Sequence, residues 1–232
     1  MKLWTLSEIK AKILRDLDLE AEDFVTDTEI VDAINEGIDD AEAIIHGFGR
    51  EDEYFLAKTV LALVQGQDEY SLPSDMYATK ILALTYTNGS TIYPIKRMRT
   101  QDRFIDIEVM KIGGTSNDYR YLIVNNNVTD GYKINLFPPA RESLPQGMVM
   151  WYVRNANRLE VDTDVCDIPE FVYYVIAFAK HKVLFKEGHP NTPEAAMELQ
   201  RQKENMSSTL AEMVPDGDDE LVKDFSHYEA ST

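Results

Sequence analysis

Thr26-Asp27-Thr28-Glu29-Ile30-Val31-Asp32-Ala33-Ile34-Asn35-Glu36-Gly37-Ile38-Asp39-Asp40-Ala41-Glu42-Ala43-Ile44-Ile45-His46-Gly47-Phe48-Gly49 reads as one amphipathic helix with its own start and stop. Thr26 and Glu29 have the spacing of a capping box, in which the threonine hydroxyl and the glutamate carboxylate satisfy free first-turn amides. Behind the box Ile30, Ile34, Ile38, Ala41 and Ile45 fall three or four residues apart, a single apolar stripe. Gly47 and Gly49 supply the stop. A stripe of this kind must bury itself against something, so the elements on either side decide the fold.

Upstream, Thr5-Leu6-Ser7-Glu8 repeats the capping device. It predicts a short helix with Leu6, Ile9, Ile13 and Leu14 on one face. Downstream the period changes. Tyr54–Val64 is rich in β-branched and aromatic residues and reads as a strand. Lys80–Thr87 and Thr91–Met98 flank Asn88-Gly89-Ser90, a hairpin signal, because Asn and Gly both accept positive φ. Tyr119–Val124, Tyr132–Phe137 and Met148–Arg154 read as three further strands, set apart by Asn125-Asn126-Asn127 and Pro138-Pro139. Thr100–Ile112 is a short helix or an irregular excursion.

Helical signals return after Asp162-Thr163-Asp164. Asp167 is a candidate N-cap with Pro169 in the first turn, and the helix runs to about Phe185. Its segment Phe171–Ala179 is apolar nearly all round, which predicts the most buried helix of the protein. Gly188-His189-Pro190 ends it, and Pro193 opens a second long helix to about Met213. The expected fold class is α+β: a helical bundle built from the N- and C-terminal helices, with a β-rich insertion and an extended acidic C-terminal arm. The expected bounds are 1–50 and 167–214 for the bundle, 54–154 for the β-lobe and 215–232 for the arm.

Composition excludes several classes of function. A net charge of -18, from 41 acidic against 23 basic side chains, repels phosphate backbones and argues against sequence-reading nucleic-acid binding. High net charge also confers solubility, and it suits the wall of a channel through which DNA slides without being held. The longest apolar run, Phe171–Ala179, falls far short of the roughly 20 residues of a membrane span, so no membrane partner is expected. Charges among the first eight residues break any signal-peptide pattern. Cys166 is the single cysteine, so no intrachain disulfide forms, in keeping with folding in a reducing cytoplasm.

Chemistry-bearing residues do not gather in the sequence. His46, His181, His189 and His227 show no metal-ligand spacing, and Cys166 has no recognisable histidine partner and reads as a buried filler. Gly113-Gly114 and Gly47-Phe48-Gly49 lack the remainder of a phosphate cradle. The clusters Asp162/Asp164/Asp167 and Asp216/Asp218/Asp219/Glu220 read as solvated loop charge, not a calcium loop. The expectation is a non-enzymatic protein with no cofactor and no bound metal.

The order of segments resembles the head-to-tail adaptor, or connector, proteins of short-tailed bacteriophages, the head-completion group. Trp4-Thr5-Leu6 with Val31-Asp32-Ala33-Ile34-Asn35-Glu36-Gly37 is similar to their opening helices. Gly66-Gln67-Asp68-Glu69-Tyr70-Ser71-Leu72-Pro73-Ser74-Asp75 resembles their step into the first hairpin. Tyr152-Val153-Arg154, Leu159, Asp162-Thr163-Asp164 and Ile168-Pro169 resemble their return to helix. The resemblance covers nearly the whole chain. It implies a virion protein at the portal–tail junction, a ring of twelve copies under the portal protein. That ring extends the channel for genomic DNA and receives the tail nozzle or tail fibre proteins.

Two surfaces stand out as candidates for contacts. Lys180, Lys182 and Lys186 cluster late in the buried helix, where they complement the helix dipole or form a basic patch for acidic segments of a neighbouring copy. In the arm, Leu221, Val222, Phe225 and Tyr228 are spaced one, three and three apart amid acidic residues, a docking stripe toward the portal or a neighbour. The alternative reading is a small-ligand or carbohydrate-binding module whose β-lobe presents Tyr86, Tyr93, Tyr119, Tyr121 and Tyr132 to solvent.

Overall fold

Both capping boxes close in the computed structural model, which describes residues 2–18, 25–87, 91–98, 119–125 and 131–213. The Thr5 hydroxyl accepts from the Glu8 amide at 3.3 Å while the Glu8 carboxylate accepts from the Thr5 amide at 3.1 Å. The Thr26–Glu29 pair is built alike, at 3.3 and 3.0 Å. Helices α1 (Leu6–Leu17) and α2 (Asp27–Gly47) follow. Leu6, Ile9 and Ile13 of α1 are buried, as is the whole stripe Ile30, Ile34, Ile38, Ala41 and Ile45 of α2. The class is α+β, as the periodicities predict. The chain divides into two units, 1–50 with 157–232, and 51–156.

In the first unit the 3-10 turn Pro169–Phe171 leads into α4 (Val172–Glu187), and α5 (Thr192–Glu212) follows. Helix α4 packs against α1, α2 and α5, which is why its sequence is apolar on most sides. Its exposed exceptions are Tyr173 and Phe185. Gly37 lets α2 approach closely, since a Cβ there would stand 3.3 Å from the Phe178 side chain and the Val175 carbonyl. Gly188 at φ 68 ends α4 in the left-handed conformation. Asp167 does not cap this helix. Its carboxylate accepts instead from the Asn157 backbone at 2.8 Å and side chain at 3.2 Å, because the 3-10 turn intervenes before α4.

The return segment completes the bundle. The first-turn amides of Leu6 and Ser7 donate to the Asp164 and Asp162 carbonyls at 2.9 and 3.2 Å, and the Cys166 amide donates to the Trp4 carbonyl at 2.9 Å. The Asp164 carboxylate accepts from the Glu160 and Val161 amides at 2.7 and 2.9 Å, and these two amides hold its carboxyl below the usual range. On the other side, buried Asn35 of α2 grips Leu159. Its amide nitrogen donates to the Leu159 carbonyl at 3.0 Å, and its oxygen accepts from the Leu159 amide at 2.8 Å.

The second unit is two four-stranded sheets around a shared core. The strands are β1 (Leu56–Leu63), β2 (Glu69–Ser71), β3 (Met76–Thr87), β4 (Ile92–Pro94), β5 (Lys96–Arg97), β6 (Arg120–Asn125), β7 (Tyr132–Phe137) and β8 (Leu144–Arg154). Their orders are β1-β8-β3-β4 and β2-β7-β6-β5, antiparallel except for the parallel pair β5 and β6. Tyr54 and Phe55 do not begin the first strand but close a short helix, α3 (Glu51–Phe55). The run Thr91–Met98 is likewise two strands. Pro94 lacks an amide, and beyond Ile95 the chain leaves the first sheet for the second. The hairpin pairing is as expected, with Thr85 opposite Pro94 and Thr87 opposite Ile92. Asn88-Gly89-Ser90, Thr100–Ile112 and the arm 215–232 lie outside the described residues.

The Gly66–Asp75 stretch has a physical reason at several positions. Gly66 takes φ 82 in a turn tied to the Ala140 carbonyl at 2.7 Å. Tyr70 enters the shared core, and its hydroxyl donates to the Gln67 carbonyl at 3.2 Å. Asp75 accepts from the hydroxyl of buried Tyr152 at 3.0 Å.

Candidate interaction surfaces

Of the five tyrosines singled out on the β unit, most face inward. Tyr86, Tyr119 and Tyr121 are buried, and half-buried Tyr93 stacks on Tyr86 at a centroid distance of 6.0 Å. Tyr86 reaches the rim through a 2.5 Å hydrogen bond to Glu142, which lets a tyrosine serve as core while its polar tip stays satisfied. Of the five, Tyr132 alone is well exposed, so the expected ligand-binding face of aromatics is not there. Alternation looked the same for both faces of these strands because both carry large apolar residues.

What the first sheet does present outward is aliphatic. Its register sets Lys58 beside Trp151 and Ala83 in one row across the sheet, and Val60 beside Val149, Thr85 and Pro94 in another. The intervening rows, Thr59–Met150–Leu84 and Leu61–Met148–Tyr86, turn into the core. Leu56, Val60, Leu82, Ile92 and Trp151 are all exposed, and the Lys58 ammonium sits 5.1 Å from the Trp151 ring. The sequence hid this face, since an apolar residue facing water spells the same as one facing a core.

Each of the three lysines of α4 meets an acidic side chain of its own unit. Lys180 pairs with Asp16 of α1 at 3.3 Å, Lys182 with Glu36 of α2 at 2.6 Å, and Lys186 with Glu29 of α2. Only Lys186 lies in the last turn, where the helix dipole favours a cation. Burial opposes ionisation of Asp16, yet Lys12 and Lys180 together hold its carboxyl below the usual range. Beside Lys182 and Lys186 runs an open groove of ≈ 270 Å³ lined by Val25, Ala33 and Phe185. Leu221, Val222, Phe225 and Tyr228 lie outside the described residues.

The Glu29 corner gives a pH signature. The Lys186 ammonium first, then the Thr26 amide and hydroxyl, bring the Glu29 carboxyl from an ordinary 4.5 to about 2. A carboxylate depressed in the folded state stabilises above its unfolded pKa, and that contribution fades as pH falls from 4.5 toward 2. In an NMR titration the Glu29 side chain should therefore show a midpoint near 2, and Lys186→Met should move it upward. An unchanged midpoint in that variant would remove Lys186 as the cause.

Reactive groups stay apart. The His189 Nδ1 accepts from the Asn191 amide at 3.1 Å, while His46 lies by Glu42 on α2 at 3.5 Å. Cys166 is buried, and that burial pushes its thiol up to about 11, the reverse of an activated nucleophile. Among the described residues no group of three or more His, Cys, Asp or Glu side chains is placed to hold a metal ion. Among them, too, no helix is long and apolar enough to cross a membrane.

The described residues thus form a helical bundle and a two-sheet insertion. The chain belongs to the SU10 adaptor protein family, whose model matches residues 4–222. It is a phage structural adaptor, and this membership implies association with portal and tail proteins in the virion. Comparison with curated proteins gives no match.

Proposed function

We propose that this adaptor assembles as a homo-oligomeric ring beneath the portal protein, extends the channel for genomic DNA and carries the tail nozzle or fibre proteins. The observation that carries the reading is the family match across residues 4–222. Twelve copies are what the sequence resemblance implies. The role is mechanical, with no catalytic step, and the net charge of -18 keeps the channel wall from gripping DNA. It also keeps free copies apart until a portal ring supplies compensating contacts. The arm 215–232 anchors the ring on the portal or on a neighbouring adaptor through Leu221, Val222, Phe225 and Tyr228. Lys182 and Lys186 are open to exchange with acidic segments of a neighbour, because solvent-exposed ion pairs of this type contribute little, and Lys180, in its less exposed pair with Asp16, completes the patch.

Sizing chromatography with and without purified portal rings tests the reading. The free chain should elute as a monomer and co-elute with portal when mixed, and deletion of residues 216–232 should abolish co-elution while leaving the circular dichroism spectrum helical. A portal-independent dimer as the sole assembly, or full attachment by the truncated chain, would overturn it.

A further inference from the structure

The outward face of the first sheet carries the exposed apolar residues Leu56, Val60, Leu82, Ile92 and Trp151, and its size bears on what could cover it. Four strands about 4.8 Å apart over five residues at about 3.3 Å give roughly 14 by 17 Å, or about 240 Å² in projection. A standard subunit interface takes roughly 800 Å² from each partner, so a whole second subunit would need far more than this face. One helix about 10–12 Å across would cover it.

The arm carries a segment of that chemistry, and as a helix its eight residues, about 12 Å long, would span most of the face. Leu221, Val222, Phe225 and Tyr228 stand at positions i, i+1, i+4 and i+7, which at about 100° per residue share one side of a two-turn helix. The rest of the segment is acidic: from Glu212 to Thr232 there are seven carboxylates against the single Lys223. Such a segment needs an apolar surface free of other carboxylates. In the two outward rows that run through Trp151 and Val149, Lys58 is the single charge, and it lies over Trp151. Length is sufficient as well. Phe225 follows Met213, the last described residue, by 225 − 213 = 12 positions. Such a span reaches up to about 40 Å when extended, more than the roughly 30 Å width of a small domain.

Resting on the adaptor reading, we propose that residues 221–228 of each copy dock on the outward sheet face of the next copy in the ring. Phe225 and Tyr228 pack against Leu56, Val60, Leu82, Ile92 and Trp151, and the acidic flank lies beside Lys58. The contact is heterologous, so each copy gives an arm and receives one, and it repeats at every junction of a closed ring. Each arm then acts at the high effective concentration that tethering to the ring provides.

Disulfide trapping in the full-length chain tests this. Chains bearing Phe225→Cys and chains bearing Trp151→Cys are mixed, assembled on purified portal rings and mildly oxidised, with the native chain as control for buried Cys166. A disulfide-linked adaptor dimer should form in the mixture and in neither variant alone, and Val60→Cys should serve as acceptor in place of Trp151→Cys. Val60→Asp should lower the recovery of assembled ring by at least tenfold. The inference is overturned if Phe225→Cys links to the portal, if Trp151→Cys links to itself, or if only a Phe225→Cys/Trp151→Cys double variant closes, within one chain. It also fails if rings visible by negative stain yield no link. Absence of any ring on the portal is a different result, and it counts against the adaptor reading itself.

Discussion

Replacing Asn35 with Leu should lower the stability of the helical unit by about 3 kcal/mol, although leucine is the more apolar residue and the better helix former. Asn35 is buried, and its amide answers both backbone groups of Leu159, which is fully buried. Leucine would leave that N–H and that C=O without a partner and without water, at about 1–3 kcal/mol apiece. Asn35→Asp isolates the two halves of the contact. A carboxylate still accepts from the Leu159 amide but faces the Leu159 carbonyl with no proton to give. The buried acid should have a raised folded-state pKa, so its stabilising form is the protonated one, present at low pH and lost as pH rises. Measured against the native chain at each pH by urea denaturation, Asn35→Asp should be most destabilised at neutral pH and recover on acidification. Leu159 amide exchange should accelerate in both variants. Equal stability of Asn35→Leu and the native chain would show that the contact carries no weight.

At Gly147 even a single methyl should cost about 1–3 kcal/mol, with Gly147→Val at the upper end. An added Cβ would meet Leu63 Cδ1 at 2.7 Å and Leu144 Cβ at 2.8 Å, closer than carbon atoms approach. Leu63 is buried in the shared core, beside the irregularity in the β1–β8 register, so it has little room to swing away. Leu144 Cβ can move only with its backbone. Gly47→Ala is the matched control, because at the last residue of α2 an added Cβ meets nothing within 4 Å. Trp151 fluorescence in a Trp4→Phe background would follow the β unit alone. An unchanged urea midpoint for Gly147→Ala would show that the bulge relaxes freely.

Asn35 and Gly147 also mark where sequence reading stops. Stripes, capping boxes and the Asn-Gly turn are local in sequence, so α1, α2, the β3–β4 hairpin and the α4–α5 pair could be read directly. Asn35 sits next to Ile34 in a buried stripe, and a polar residue there was a signal that some partner exists. The partner is 124 positions away, and no periodicity names it. Strand β2 has three residues and α3 five, too few for a period to register. The lysines of α4 are close in sequence, but their acidic partners on α1 and α2 could not be read from spacing along α4. Among candidate contact surfaces the arm is a proposal from its apolar spacing alone, since it lies outside the described residues. The sheet face was not legible, because burial of one side and exposure of the other is decided by a second sheet that pairs far along the chain.

The first and last strands of the β unit, β1 and β8, are partners, with Leu56 directly opposite Val153. Such partners lie only about 4.5–5.5 Å apart. The insertion's outermost strands therefore close on each other within one strand spacing, and the entropy of bridging so small a gap depends only weakly on the length of chain between them. The whole of 51–156 behaves as a cassette. Every hydrogen bond of the two capping boxes and of the Asn35 clasp is made by residues outside it.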